Sequence, residues 1–553
     1  MDTRRLILFV VFSFSIMMLW DAWQRQFVPA PTQTINQTRP NTTTGTQATL
    51  PTTADSVSAN ATVAAANSGV FGLLKGQRIA VKTDLFTAEI DSNGGDIRRL
   101  WLNQHRAEKL NEGNFLLMDD IGSEMTYVAQ SGLLGENLPN AQAQYTTESN
   151  TYILADGAEK QEVRLSWANN GVAVNKVYTF TRGSYQIGVR FEINNASANA
   201  VTPSAFYQIV HDSESNQGSA MMPTFTGAAY YTVADAFKKV KFGDMEKSNL
   251  AKSSKDGWIG LVQHYFVSAW IPAKEVQREF YTKKINDKLY AVGVNVPAAP
   301  LVAGSKINIE TTLFAGPQTN KDLLAAAPGL ELAVDYGWLT FIAKPLFWLL
   351  SKIYGVVQNW GVAIILLTVL IKAAFYKLSA TSYRSMAQMR ELAPRLQAMK
   401  EKFGDDKQKM QQAMLEMYRK EKINPMGGCL PILVQIPVFI ALYWVLLGSI
   451  ELRHAPFFGW IRDLSVPDPW YILPILMGAS MIIQTSLSPA PPDPIQAKVM
   501  KVMPVMMSIF FFFFPAGLVL YWLVNNILSI TQQWYINKTI HAAAIAKKGS
   551  GNR

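Results

Sequence analysis

Residues 362–376 read VAIILLTVLIKAAFY, and this stretch decides the fold. Apart from Thr368 it is apolar until Lys372, and the 19 residues between Lys352 and Lys372 carry no charge. A helix of roughly 20 apolar residues crosses the hydrocarbon core of a bilayer. A lysine inside such a segment is expensive, and it is usually tolerated only where it faces a bundle interior or a wet cavity. The competing reading is a lysine whose long stem snorkels to the interface.

Downstream, uncharged runs recur: 28 residues between Lys422 and Glu451, 24 between Asp468 and Asp493, and 36 from 502 to 537. As one helix the last run would extend about 54 Å, far beyond a core of ~30 Å. Pro515-Ala516-Gly517 divides it into two short helices. Upstream, LILFVVFSFSIMMLW follows Arg4-Arg5, and Trp20 and Trp23 suit an interfacial aromatic belt better than a cleavage site. Six transmembrane helices are therefore expected, over 1–27 (an uncleaved signal anchor), 359–378, 425–448, 470–487, 498–513 and 516–537.

The formal net charge of +10 tests this count. Residues 1–5 supply +1, the stretch 377–424 supplies +5 from eleven basic against six acidic residues, and the tail 538–553 supplies +4, so the remainder nets to zero. Six crossings from a cytoplasmic N-terminus put all three basic blocks inside, as the positive-inside rule requires. The loop 449–469 and the large segment before 359 fall outside. The 488–497 loop and the tail fall inside.

Between anchor and core the chain changes character twice. Residues 28–69 are rich in Thr, Ala, Asn, Gln and Pro and read as a flexible linker. Over 70–328 a two-residue period takes over. Tyr185, Ile187, Val189, Phe191 and Ile193 alternate with polar residues, as do Val163, Leu165 and Trp167, and Ile307, Ile309, Thr311 and Leu313. Turn signals such as Ser92-Asn93-Gly94-Gly95 separate these runs, so the domain is expected to be an all-β antiparallel sandwich. It shows no convergent polar cluster, and a scaffold is the expectation over a carbohydrate or peptide binder. Residues 329–358 mix aromatics with Lys344 and Lys352 at helical spacing, which suits an amphipathic helix lying in the interface.

The cytoplasmic segment 379–424 reads as a helical hairpin. Tyr383, Met386 and Met389 mark its first helix, Pro394 should kink it, and Asp405 or Asp406 should cap the second. Its Met stripes suit a helix–helix core, with a soft client-accepting surface as the alternative.

Enzyme chemistry finds little support. Cys429 is the only cysteine, the five histidines are scattered, and no phosphate-binding loop, GxSxG or HExxH occurs. No cofactor, no metal and no direct nucleic-acid specificity are expected. The five C-terminal spans contain no Asp or Glu, so Lys372 is a groove cation whose partner is water. Thr368, Gln435, Asn525, Asn526, Gln532 and Gln533 are candidate polar neighbours in the same cavity, although each alone could be interhelical glue.

The run from Lys372 through NPMGGCLPILVQIPVFIALYWVLL (424–447), YILPILMGASM (471–481) and FPAGLVLYWLVNNILSITQQW (514–534) resembles the YidC/Oxa family of membrane protein insertases over the whole C-terminal 210 residues. The anchor and β-domain resemble its Gram-negative branch, which implies a periplasmic β-supersandwich. The resemblance further implies a hydrophilic groove among five core helices, open to cytoplasm and lipid and closed outside. Nascent membrane proteins, the Sec translocon, the ribosome with its targeting machinery, and the lipid bilayer are the partners it implies. A client-sliding face is expected at Ile436, Val438, Phe439, Met506, Phe510, Tyr521 and Trp522. One departure stands out: the family's groove cation is usually arginine. Lysine keeps the charge and loses the bidentate fork. The rival functions are a solute or ion transporter, which lacks the membrane carboxylates a proton relay needs, and an envelope-anchored carbohydrate-binding protein.

Overall fold

The computed structural model describes residues 73–107, 113–120, 126–213, 224–403, 406–421, 430–487 and 494–550. The expected anchor and linker, and Asp405, lie outside the described residues.

Alternation builds the β-domain as expected. In the strand Gln186–Asn195 every second residue is buried, and its neighbours Val172–Thr181 and Lys306–Pro317 pair with it antiparallel, Val189 opposite Tyr178 and Thr311. Two large sheets result, one of ten strands and one of nine. The first is centred on Tyr127–Leu134, Ser204–Asp212 and Leu289–Pro297, and the second on Gln186–Asn195 and Lys306–Pro317. Their apolar faces share one core that includes Trp258, Trp270, Phe86 and Tyr207. All ladders are antiparallel except the pairing of Arg78–Lys82 with Thr151–Ile153.

The alternating pattern conceals a charged interior. Lys176, in the strand Val172–Thr181, is fully buried and donates to the carbonyls of Gly94 (3.0 Å) and Ser131 (2.7 Å), with Asp96 at 3.9 Å. Gly94 and Gly95 both have positive φ, +75° and +62°, and this turn aims the Gly94 carbonyl at the ammonium. Burial pulls Lys176 down to about 7, against the opposing pull of Asp96.

Helices follow. Two short ones, α1 (Phe242–Lys247) and α2 (Asn320–Ala326), belong to the β-domain. Then come α3 (Thr340–Val357), α4 (Trp360–Ala374), α5 (Tyr376–Glu391), α6 (Ala393–Phe403) and α7 (Lys407–Lys420). The chain closes with α8 (Leu430–Gly448), α9 (Ile472–Leu487), α10 (Pro494–Phe510) and α11 (Ala516–Ser550). Among the described residues, Gly337–Val357 is long and apolar enough to cross a membrane by length and composition. Trp360–Ala374 with Tyr376–Met389 meets the same test as a pair bent by 68°, and Val434–Gly448 and Ile472–Leu487 are shorter apolar helices.

Two boundaries differ from expectation for physical reasons, and one break falls where Pro394 was expected to kink the chain. The 359–378 segment is divided at Phe375, where the chain turns by 68° into α5, so the hairpin's first helix starts earlier than 379. The hairpin's first arm is itself two helices, α5 and α6, because Pro394 has no N–H to give and crowds the preceding turn. Leu392 N–H is consequently shared between the carbonyls of Gln388 and Met389. The segment 538–550, expected as a tail, continues α11, since the Ala-rich run after Lys538 favours helix. Pro515 ends the apolar run at 514 as expected and its carbonyl caps the first turn of α11.

The β-domain rests on the outer loop 449–469 through a polar seam. Arg453 donates to the Arg106 carbonyl (2.7 Å), and its guanidinium lies 5.0 Å from the Phe115 ring and 5.7 Å from the Phe266 ring, which stack on each other at 4.1 Å. His264 donates to the Leu447 carbonyl (3.0 Å). Glu451 and His105 sit in the same seam and titrate oppositely. Burial, with Asp322 adding to it, pushes Glu451 up to about 7. Burial, with Arg453 and His454 adding to it and Asp322 opposing, pulls His105 down to about 4.

The folded state therefore holds an extra proton on Glu451 between its ordinary value and 7, and stability from this group falls as pH rises through that window. The folded state lacks a proton on His105 between 4 and its ordinary value, and stability from that group rises with pH. Over pH 4.5–6.5 the two slopes oppose, and the wild-type seam should be nearly indifferent to pH. Glu451→Gln should leave the histidine limb alone, so the thermal midpoint rises from pH 4.5 to 6.5. His105→Gln should give the reverse slope, each limb worth up to about 3 kcal/mol. Parallel curves for all three proteins would contradict this assignment.

Candidate functional site

The bundle formed by α4, α5, α8, α9, α10 and α11 is closed at one end and polar at the other. Closure comes from the loop 449–469. Asn359 caps α4 by accepting from Val362 N–H (3.0 Å), and its amide donates to the Phe457 carbonyl (3.0 Å). Ala516 and Gly517, opening α11, donate to the carbonyls of Val466 (2.8 Å) and Leu464 (2.9 Å). Asp468 accepts from the indole of Trp460 (2.8 Å) and the N–H groups of Trp470 and Leu473, which anchors the loop to the start of α9. Gly361 is required beneath Phe457: a Cβ there would stand 2.1 Å from Cδ2 and 2.9 Å from Cβ of that residue.

Lys372 stands at the other end. Lys372 lies in the last turn of α4, where a positive charge meets the helix's negative pole. It is only 8 % exposed. Its ammonium donates to Ser529 Oγ on α11 (2.7 Å), and among the described residues no carboxylate pairs with it. Thr368, one turn earlier, is buried and donates to the Ile364 carbonyl. Asn526 is buried and donates to Ser480 on α9 (3.0 Å), while Asn525 contributes its carbonyl to Ser529 (2.7 Å). Gln532 reaches the Tyr376 carbonyl (3.3 Å), and Gln533 reaches the Leu487 carbonyl (3.1 Å). Gln435 is partly buried on α8 and, among the described residues, stands outside this hydrogen-bonded set.

Hydroxyls are what sequence reasoning missed. Ser379, Ser382, Ser480 and Ser529 are all buried. The signal for Ser529 was available: it is four residues after Asn525 and three before Gln532, on one helical stripe. Ser480 is lodged in an apolar run with nothing to mark it.

The hairpin residues divide similarly. Tyr383 is partly buried, with its side chain beside Ser529. Met386 and Met389 are partly buried, and Arg395 pairs with Glu421 (2.7 Å) across the arms. Asp406 caps α7 by accepting from Lys409 N–H (3.1 Å). On the expected sliding face, Ile436, Met506 and Phe510 are exposed. Val438, Phe439 and Trp522 are partly buried, with Phe439 stacked on Trp522 at 4.6 Å. Tyr521 is buried at 6 %, so it supports this face from within.

The comparisons with known proteins agree with this architecture. A family described as the YidC periplasmic domain matches residues 78–349, and one described as the 60Kd inner membrane protein matches 352–543. A curated "Membrane protein insertase YidC" of Methylobacillus flagellatus is 61 % identical over 555 residues, covering all of both chains. Its counterpart in Aromatoleum aromaticum is 52 % identical over 98 % of each. A solved structure titled as an active YidC insertase with its first transmembrane domain resolved aligns with 84 % of this chain and 93 % of its own, at 19 % identity and a TM-score of 0.39.

Gly361→Ala should force the outer loop away from α4, costing roughly 1–3 kcal/mol as overpacking does. Phe457→Ala should cost stability alone yet partly rescue Gly361→Ala, because it removes the ring atoms the new methyl meets at 2.1 and 2.5 Å and leaves only the Cβ at 2.9 Å. Hydrogen exchange over 455–466 reads both; additive effects in the double variant would show that the contact does not hold the closed end.

Proposed function

The chain belongs to the YidC family of membrane protein insertases, and from that premise we propose how its groove and hairpin carry out insertion. It is an inner-membrane protein acting on nascent membrane proteins, with no enzymatic step. The proposed topology has six spans, with both termini, the hairpin and the basic stretches in the cytoplasm. The β-domain and the 449–469 loop lie in the periplasm, and α3 lies along the interface beside the core.

The observation that carries the mechanism is Lys372, a buried cation held by a hydroxyl, with no carboxylate among the described residues to neutralise it. A client reaches the cytoplasmic hairpin, and its short polar terminus or loop enters the groove. Lys372 attracts acidic residues there, while Thr368, Asn525, Asn526, Gln532 and Gln435 spare polar backbone part of its desolvation cost. The outer loop stops the polar segment from meeting an open pore. The client's apolar segment moves along Ile436, Val438, Phe439, Met506, Phe510 and Trp522, over Tyr521, and leaves into lipid, driven by hydrophobic partition. The basic hairpin face and the end of α11 suit a ribosome or targeting partner, and larger clients are handed over with the Sec translocon.

α10 has 17 residues and spans about 26 Å, shorter than a core of ~30 Å. Local thinning of the bilayer beside it would shorten the client's polar path at modest cost.

Lys372→Arg should retain insertion, since charge survives and only geometry changes. Lys372→Ala and Lys372→Glu should impair it, most for clients with acidic translocated segments. The assay uses the purified chain in liposomes, with protease protection of paired clients differing in one acidic residue. If the alanine variant inserts both clients like wild type, Lys372 is an interfacial anchor and the electrostatic role fails.

A further inference from the structure

Ser529 lies at a junction that the insertion mechanism above does not use. A serine hydroxyl offers one donor and two acceptor positions. Here two are taken. Ser529 Oγ donates to the Asn525 carbonyl one turn back (2.7 Å) and accepts from the Lys372 ammonium (2.7 Å), and the Tyr383 side chain lies beside it. One atom on α11 therefore binds the groove cation on α4 and borders the first helix of the hairpin, α5.

The neighbouring bond reinforces this. Three residues along α11, Gln532 donates to the carbonyl of Tyr376 at the start of α5, directly after the 68° bend. Residues three apart share a helix face, so one stripe of α11 grips both sides of the bend: Lys372 before it, Tyr376 and Tyr383 after it. Side chains that occupy a helix's carbonyls are a recognised cause of such kinks.

Lysine has a long, mobile stem, and an unheld ammonium this close to the cytoplasmic end would snorkel outward. Of its three N–H donors, Ser529 takes one, and among the described residues no other group takes the remaining two. Those two point to water or to an incoming acidic group. We infer that Ser529 is a positioning residue: it fixes Lys372 within the groove and, on the same stripe of α11 that meets Tyr376 and lies beside Tyr383, couples the placement of the hairpin to that of the cation.

The inference rests on the reading of Lys372 as the client-attracting charge, and the test separates the two. The full-length chain in liposomes is given paired clients that differ by one acidic residue in the translocated segment, and the ratio of acidic to neutral insertion is read. Ser529→Ala should lower that ratio about tenfold toward the value of Lys372→Ala, equivalent to ~1.4 kcal/mol and on the scale of one hydrogen bond to a charged group. Ser529→Thr should restore it, because threonine keeps the hydroxyl and its bond to the carbonyl one turn back. Tyr383→Phe should lower hydrogen-exchange protection of 376–389 while leaving the ratio within about twofold of wild type. Should Ser529→Ala fail to fold, Ser529→Cys keeps the volume with a weak acceptor and should show the same loss. If Lys372→Ala is selective against the acidic client and Ser529→Ala is not, the positioning role is overturned and the cation's role stands. If Lys372→Ala is itself unselective, the reading beneath the inference falls with it.

Discussion

A positive charge inside a membrane bundle, with no carboxylate partner among the described residues, constrains everything around it. Lys372 must be kept company by neutral hydrogen-bonding groups and water, because an unpaired ion in hydrocarbon is too costly to persist. Neutral groups do not cancel the charge. They hold it, and they leave its field available to whatever enters. Ser529 of α11 meets it directly, and further buried hydroxyls and amides come from α4, α5, α9 and α11 of the same bundle, so the helices themselves must be arranged to bring these short side chains together. Hydroxyls suit this task because Ser and Thr also bond their own helix carbonyls, as Thr368, Ser529 and Thr485 do. Each remains satisfied whether or not a client is present.

The same constraint explains the closed end. In the proposed topology a wet groove that ran through the membrane would be a leak, so its outer end has to be sealed by groups that satisfy one another. The 449–469 loop does so with backbone bonds to the opening residues of α11, the Asn359 amide and the Asp468 cap. Through Arg453 and Glu451 that loop is also the footing of the β-domain. The large domain thus touches the sealed end, far in sequence from the hairpin that handles the other. This placement suits a scaffold that stabilises the outer face.

Much of this was legible in the sequence because its signals are local. Alternation in 185–193 reports a strand directly, Pro394 and Pro515 report helix breaks, and Lys372 stands out against an apolar run. The buried partners were less legible. Ser480 and Ser529 are individually ordinary, and only the packing of α4, α9 and α11 turns them into a lining. Lys176 was hidden for the opposite reason: it occupies an inward position in an alternating strand, where its charge is met by the Gly94 carbonyl of a distant turn and the Ser131 carbonyl of another strand. The bend at Phe375 was invisible because no proline or glycine marks it. What meets it is a side chain from another helix, the Gln532 amide on the Tyr376 carbonyl. Helical continuation past Lys538 was missed because charge was read as the end of structure as well as the end of the span.

The central claim is that Lys372 sits in water continuous with the cytoplasm and sealed from the periplasm. It is tested most directly by Lys372→Cys in a chain whose only native thiol is removed by Cys429→Ser, treated with a membrane-impermeant reagent that reacts with thiolates. The account predicts rapid modification when the reagent is on the cytoplasmic face of inverted vesicles, and none when it is confined to the periplasmic face. No reaction from the cytoplasmic face, or equal reaction from both faces, would contradict it.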